Sequence, residues 1–82
     1  MTLVEFNIAS DMEAALDCEE VEYTDTQFEE YCSIAEDAYL KADEMTSWAM
    51  CKAVAAIVKE GGEEKLLDME KWSIIDKASY FL

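Results

Sequence analysis

The 82-residue sequence predicts a mainly α-helical fold, a compact bundle of three or four helices, and leaves a short N-terminal strand pair as an open alternative. Apolar residues recur at helical spacing through most of the chain, Pro is absent, and both glycines stand together at Gly61–Gly62. Hydrophobic residues make up 52% of the chain, which excludes disorder despite a net charge of −14. A chain of about this length buries roughly 60% of its unfolded surface, enough for one core. We therefore predict a single acidic helical domain over residues 1–82.

The strand pair is an alternative for the first 23 residues only. Between residues 2 and 8, apolar side chains alternate with polar ones, a period typical of a short strand: Val4, Phe6 and Ile8. Ser10 and Glu13 then form a capping-box pattern that predicts a short helix ending near Asp17. Residues 19–23 fit either a second short strand or a loop.

A helix is predicted to begin near residue 25, because Thr24 with Gln27, and Thr26 with Glu29, form overlapping capping boxes. From there, apolar residues recur every seven positions as a stripe: Phe28, Ala35, Ala42, Ala49 and Ala56. One long helix to residue 60 and two helices separated near residues 43–47 both fit this pattern. Acidic residues oppose the dipole at a helix C-terminus, so we favour a break before Asp43.

The second half of the chain supplies most of the expected core. Residues 45–58 are apolar almost all round, which predicts a central helix, and Gly61–Gly62 is a strong signal for its end. One or two further helices are expected over residues 63–82, with Ser73 as a candidate N-cap. Trp48 and Trp72 are expected in the core rather than on the surface.

Charge is distributed very unevenly along the chain. Residues 1–44 hold fourteen acidic residues and one base, whereas residues 45–82 hold six acidic residues and five lysines. An acidic half repels nucleic acid and anionic membranes and attracts basic protein surfaces, so we expect no direct nucleic-acid binding and no membrane association. The longest nearly apolar stretch is shorter than the ~20 residues that span a bilayer. With no readable secretion signal at the N-terminus, the expected location is the cytoplasm.

The composition argues against an enzyme, and we expect no catalytic residue, no metal site and no cofactor. The chain has no His, the residue used most often for general acid–base catalysis. Its three Cys residues, Cys18, Cys32 and Cys51, lack the C-x-x-C spacing of zinc sites and are read as small buried hydrophobes in a reducing compartment. The acidic segments also lack the alternating ligands and central Gly of a calcium loop.

The acidic residues of the helix from residue 25 are the clearest functional signal. They form adjacent pairs seven residues apart, Glu29–Glu30, Glu36–Asp37 and Asp43–Glu44, with Asp25 one turn earlier. Successive pairs are about 10.5 Å apart along a helix, on an arc opposite the apolar stripe. Leu40 falls inside this arc and is a candidate apolar anchor. We predict that these eight residues form a partner-binding surface, and that Glu63 and Glu64, in the charge-balanced half, lie outside it.

A single helix of this kind is too dilute in charge to imitate a duplex. Its acidic residues supply roughly one charge per 4 Å of helix, against one per about 1.7 Å for DNA. A second row is available between Asp11 and Glu22, where six acidic residues occur. A solvated helix face is the ordinary explanation of such a pattern, but the fourteen-to-one bias in residues 1–44 has a cost in self-repulsion that a function would explain.

In size, charge and lack of catalytic residues, the chain resembles small acidic proteins that phages encode against host defence or DNA-handling enzymes, some of which imitate DNA. The resemblance covers charge and not a family motif, and it implies an anti-defence role such as anti-restriction or anti-CRISPR activity. The expected function is that of an acidic inhibitor or regulator that occupies the basic surface of a nucleic-acid-binding protein. The alternative is a helical adaptor or assembly subunit that binds through an apolar helix face, with a homodimer as one form.

Overall fold

Four helices joined by short links make up residues 2–82, the part of the chain that the computed structural model describes; they are α1 (Leu3–Cys18), α2 (Asp25–Lys41), α3 (Ser47–Asp68) and α4 (Lys71–Ser79). The central helix α3 packs against the other three, and α2 also contacts α1 and α4. The bundle measures 28 × 26 × 19 Å. The predicted mainly α-helical bundle is confirmed.

Helix α1 replaces the strand considered for residues 2–8. Thr2 caps it, since its hydroxyl accepts a hydrogen bond from the backbone N–H of Glu5 at 3.1 Å, and Glu5 lies in the first turn, where an acidic residue is favourable. The strand prediction was wrong because Val4 and Ile8 also fit a helical stripe that continues to Met12 and Ala15. The N-cap of the helix, Thr2, lies eight residues before the predicted Ser10 cap, and residues 19–23 form a turn and a link rather than a strand.

Helix α2 begins as predicted. The hydroxyl of Thr24 accepts from the N–H of Gln27, and the side chain of Gln27 accepts from the N–H of Thr24, which completes a capping box. The helix ends at Lys41, and α3 starts at Ser47 with Thr46 as its N-cap. The predicted break before Asp43 is therefore confirmed, although neither Asp43 nor Ser47 is the cap.

The helical geometry of α3 breaks at Gly62, as the glycine pair predicts, and a second helical segment follows directly within the same element. Gly62 adopts φ +76° and ψ −177°, a left-handed conformation that glycine tolerates best, and the backbone kinks at this residue before the helix resumes to Asp68. Helix α4 follows after Met69 and Glu70, with Glu70 in the N-cap position, so the proposed Ser73 cap is wrong. Directly after the kink, Glu63 accepts a hydrogen bond from Gln27 of α2, a placement that bears on the candidate site.

The core lies between α3 and the facing sides of α1, α2 and α4. Its largest fully buried side chains come from all four helices: Tyr31, Ile8, Met12, Leu16, Met50, Ile57, Leu66 and Ile74. The two tryptophans do not belong to it, contrary to expectation, because Trp48 is 39% exposed and Trp72 is 64% exposed. Alanines at the helix contacts allow the helices to pack closely, so that small side chains complete the core between them. Within residues 2–82, no helix is both long and apolar enough to cross a membrane.

Candidate functional site

The acidic pairs of α2 do not form one row but lie on two edges of the helix. Adjacent residues are about 100° apart around a helix with 3.6 residues per turn, so the two members of each pair point to different neighbours. Glu29 and Glu36 lie toward α1. Glu30 and Asp37, at the same seven-residue spacing, lie toward α3 and α4.

The first edge borders a groove between α1 and α2. One hollow, of about 310 Å³, is lined by Glu5, Ile8, Ala9, Phe28, Glu29, Cys32, Ser33 and Glu36. A second hollow, of about 370 Å³, shares Ala9 and Phe28 with the first and adds Phe6, Ser10 and Glu13. We call the two together the α1–α2 groove. Its charged side chains are all carboxylates, and its floor is apolar.

Phe28, which lines the α1–α2 groove, also stacks on Tyr23 of the preceding link. The rings of Tyr23 and Phe28 stack with their centroids 5.5 Å apart, which fixes the link between α1 and α2 against α2. Burial, followed by the negative charges of Asp17, Glu13 and Asp25, raises the pKa of Tyr23. Three carboxylates from α1 and the start of α2 therefore surround this phenol. This arrangement supplies part of the second acidic row that the sequence suggested.

The second edge of α2 is occupied by the redirected end of α3. The side-chain amide of Gln27 donates a hydrogen bond to Glu63 at 3.0 Å, which places Glu63 beside Glu30. A hydrogen bond shared with Glu63 raises the pKa of Glu30, and partial burial and the charge of Glu63 raise it further. Glu63 therefore lies against the acidic edge of α2, contrary to the expectation that it would lie apart. Asp37, on the same edge, forms an ion pair with Lys71 at 3.4 Å.

The remaining predicted residues lie at the two ends of α2 and in the link that follows it. Asp25 lies in the first turn of α2. Leu40 is 64% exposed near the end of α2, so its side chain is accessible as the anchor hypothesis requires. Asp43 and Glu44 lie in the link between α2 and α3, where Glu44 has φ +52°, and not on the helical arc. The structure thus brings Glu29 and Glu36 together at one groove and separates them from Asp43 and Glu44.

Most of the lysines form ion pairs with carboxylates of the same chain. Within residues 2–82, five of the six form ion pairs, and only Lys41 does not. Lys52 makes the shortest, at 2.7 Å to Glu19, and it also lies 6.0 Å from the ring centroid of Trp48. The hydrogen bond from Lys52 lowers the pKa of Glu19. None of these lysines lines the α1–α2 groove, so its carboxylates stay without a cationic neighbour among its walls.

The cysteines differ in their accessibility. Cys51 is buried in the core and donates to the backbone carbonyl oxygen of Ile8 at 3.5 Å. Burial raises its pKa to about 12, and burial together with the charge of Glu36 raises the pKa of Cys32 to about 11. Cys18 is exposed at the end of α1. Cys32 lines the α1–α2 groove, so the rate at which its thiol is alkylated can show whether the groove is accessible.

The described part of the chain contains no group of three or more His, Cys, Asp or Glu side chains arranged to hold a metal ion. Glu30 and Glu63 lie side by side at the surface. The arrangement is an acidic surface, with carboxylates in two rows beside a shallow apolar groove.

Sequence reasoning missed Glu5, Phe6 and Tyr23 as components of this surface. The alternation over residues 2–8 predicts a strand with Phe6 on its apolar face, whereas Phe6 is 59% exposed on α1. The signal that could have found them is the spacing of Thr2 and Glu5, which matches a capping box and marks the start of α1. Tyr23 carried no such signal, because its role depends on a contact with Phe28 across a turn.

Comparison of the chain with protein-family models, with curated proteins and with solved structures gives no significant match.

Proposed function

We propose that this protein is an acidic inhibitor or regulator that binds a basic, nucleic-acid-binding surface of another protein. The observation that carries the proposal is the alignment of unpaired carboxylates from α1 and α2 along the α1–α2 groove. Ion pairing elsewhere leaves this region without a lysine, so a positive partner surface would find the negative charge uncompensated. Complementary potentials of this kind mainly raise the association rate and select the partner.

The same proposal places the protein in the cytoplasm and in the role of an anti-defence factor, such as an anti-restriction or anti-CRISPR protein. Its three free cysteines suit a reducing compartment. Carboxylates from α1 add to those of α2 along one groove, which brings the surface nearer to the charge density of a nucleic acid than α2 alone. The groove makes the surface a mixed one, with apolar contacts between the charges.

The test is a pull-down from host lysate with the full chain, at about 0.1 M and about 0.5 M salt, where the Debye length falls from about 10 Å to roughly 4 Å. The expected result is a basic protein that is retained at low salt and released both at high salt and by excess duplex DNA. A partner that stays bound at high salt and is not displaced by nucleic acid would contradict the proposal.

Two matched variants locate the interface. Glu29→Lys with Glu36→Lys reverses the groove edge, whereas Glu64→Lys with Asp68→Lys makes the same change in net charge at exposed positions late in α3. The first variant should lose the partner and the second should retain most of the binding. Equal losses would mean that only bulk charge matters. Circular dichroism of both variants checks that their helices are intact.

A second candidate function is an adaptor or assembly subunit, with a homodimer as one form. It is favoured by the exposed apolar side chains of the C-terminal region: Leu67, Trp72, Tyr80 and Leu82 are 54%, 64%, 86% and 63% exposed. Such an interface would persist at about 0.5 M salt, because screening does not weaken apolar burial. The salt series therefore separates the two candidates, and analytical ultracentrifugation of the isolated chain tests the homodimer.

A further inference from the structure

We infer that the α1–α2 groove is a docking site for one basic amphipathic helix of a partner protein. This inference rests on the proposed function and deepens it, since it names the structural element that the acidic surface receives. The occupant would place apolar side chains on the floor of the groove and Lys or Arg side chains against its walls.

The first argument is the shape of the groove. It runs between two helices, with Ile8 and Ala9 of α1 on one side and Phe28 and Cys32 of α2 on the other. Its two hollows, of about 310 Å³ and 370 Å³, adjoin each other at Ala9 and Phe28, which line both. A groove between two packed helices presents a seam into which the apolar ridge of a third helix fits.

The second argument is an apolar side chain that the fold leaves uncovered. Phe6 lines the second hollow and is 59% exposed, although α1 buries its opposite face completely at Met12 and Leu16. Large aromatic side chains at the centre of an interface usually carry much of its binding energy. Phe6, with the adjoining ring of Phe28, is the natural apolar contact for the occupant.

The charge of the groove walls indicates which kind of helix would bind there. Both walls carry carboxylates and no lysine: Glu5 and Glu13 on α1, Glu29 and Glu36 on α2. Residues seven or eight apart in a helix are separated by about 10.5–12 Å along its axis. A partner helix with basic residues seven apart on both flanks matches these two rows, whereas an acidic or neutral helix would leave the carboxylates unpaired. The occupant is therefore basic as well as amphipathic.

The test uses synthetic peptides as probes with the full chain. One fluorescein-labelled peptide of about 15 residues, the length at which isolated helices become stable, carries Lys seven apart on both flanks and Leu between them. A second peptide has the same composition in an order that gives no apolar face. Fluorescence anisotropy at about 0.1 M salt measures the affinity of both. The amphipathic peptide should bind at least tenfold more tightly, and its binding should slow alkylation of Cys32 in the groove.

Two variants of the protein separate the groove from general charge. Phe6→Ala removes an exposed ring, so the fold should be unchanged, and affinity for the amphipathic peptide should fall about tenfold while affinity for the scrambled peptide stays the same. Leu67→Ala is the matched control, since Leu67 is also exposed but lies in α3, outside the groove, and it should bind both peptides like the wild type.

The outcomes distinguish this inference from the proposed function. Equal binding of both peptides, with no effect of Phe6→Ala, would overturn the docking site but leave an acidic protein that binds basic partners. Binding of neither peptide at low salt would count against both. Loss of affinity for the amphipathic peptide in Leu67→Ala rather than in Phe6→Ala would move the site to the C-terminal region.

Discussion

The two edges of α2 carry carboxylates at the same seven-residue spacing but meet different neighbours. On one edge, Glu29 and Glu36 face a groove without a lysine. On the other, Asp37 has Lys71 as an ion-pair partner, and Glu30 is in contact with Glu63. The spacing of charges along a helix therefore does not decide which contacts they make. The element that packs beside each edge decides it, so one edge contacts the rest of the fold and the other keeps carboxylates without a cationic neighbour.

Substitution of Gly62 should have the largest effect on this contrast. Gly62→Ala places a Cβ on a residue with φ +76° and ψ −177°, a region that is essentially restricted to glycine. The expected loss is about 1–3 kcal/mol in the free energy of unfolding, because the kink that brings Glu63 to α2 becomes strained. Urea denaturation measures it. A variant as stable as the wild type would show that the second edge does not depend on the kink.

Sequence reasoning reached the start of α2, the break before Asp43 and the helical class, because each depends on local signals such as capping boxes and dipole preferences. It failed where contacts between residues far apart in the sequence determine the structure. Gly61–Gly62 signals the break and the pattern predicts further helix after it, but nothing local predicts that Glu63 contacts Gln27 of α2. Trp48 and Trp72 are large and apolar, yet alanines fill the space between the helices, and the tryptophans are left at the surface.

The sequence predicts that the candidate site consists of acidic residues, but not that these residues divide between two edges of α2. The acidic pairs are visible in the sequence, yet the groove also depends on α1, where the alternation over residues 2–8 suggests a strand. The position of Glu63 depends on a contact with residue 27, far away in sequence. No local pattern encodes such a contact.

Thiol reactivity should be the next largest effect and reports on the groove edge directly. Raising the pKa of Cys32 from its ordinary value of 9.0 to about 11 leaves far fewer thiolates at pH 8. The higher basicity of the thiolate partly offsets this, so we expect roughly tenfold slower alkylation of Cys32 than of a free thiol. Exposed Cys18 should react first, as mass spectrometry after timed iodoacetamide treatment can show. Equal rates at both sites would mean that the groove is open to its floor.

A smaller effect is expected at the Glu30–Glu63 contact. Because the folded-state pKa of Glu30 is raised above its usual value, the folded protein binds its proton more readily than the unfolded chain. Stability from this group is therefore present at low pH and is lost as the pH rises through the raised pKa. Glu30→Gln should raise the melting temperature at pH 7 and have little effect at pH 4. Glu64→Gln, at an exposed position later in α3, is the control and should show no such pH dependence.

The smallest effect should be the loss of the ion pair between Asp37 and Lys71. Both side chains are well exposed, and exposed pairs contribute about 0–1 kcal/mol. Asp37→Asn should therefore lower the free energy of unfolding by less than about 1 kcal/mol, and the difference should shrink further at about 1 M salt. A loss as large as that of Gly62→Ala would show that the second edge is held by this contact rather than by the kink.

The pairing of five lysines has a consequence for the behaviour of the protein in solution. Within residues 2–82 their ion pairs involve only three carboxylates, those of Glu19, Asp37 and Glu60, so the surface behaves as a small polyanion whose mutual repulsion keeps molecules apart at neutral pH. That repulsion disappears near the isoelectric point of about 4.1, where the carboxylates take up protons. Solubility should therefore fall steeply as a solution is acidified toward this value, and the uncovered aromatic rings of Phe6 and Trp72 would then become points of adhesion between molecules.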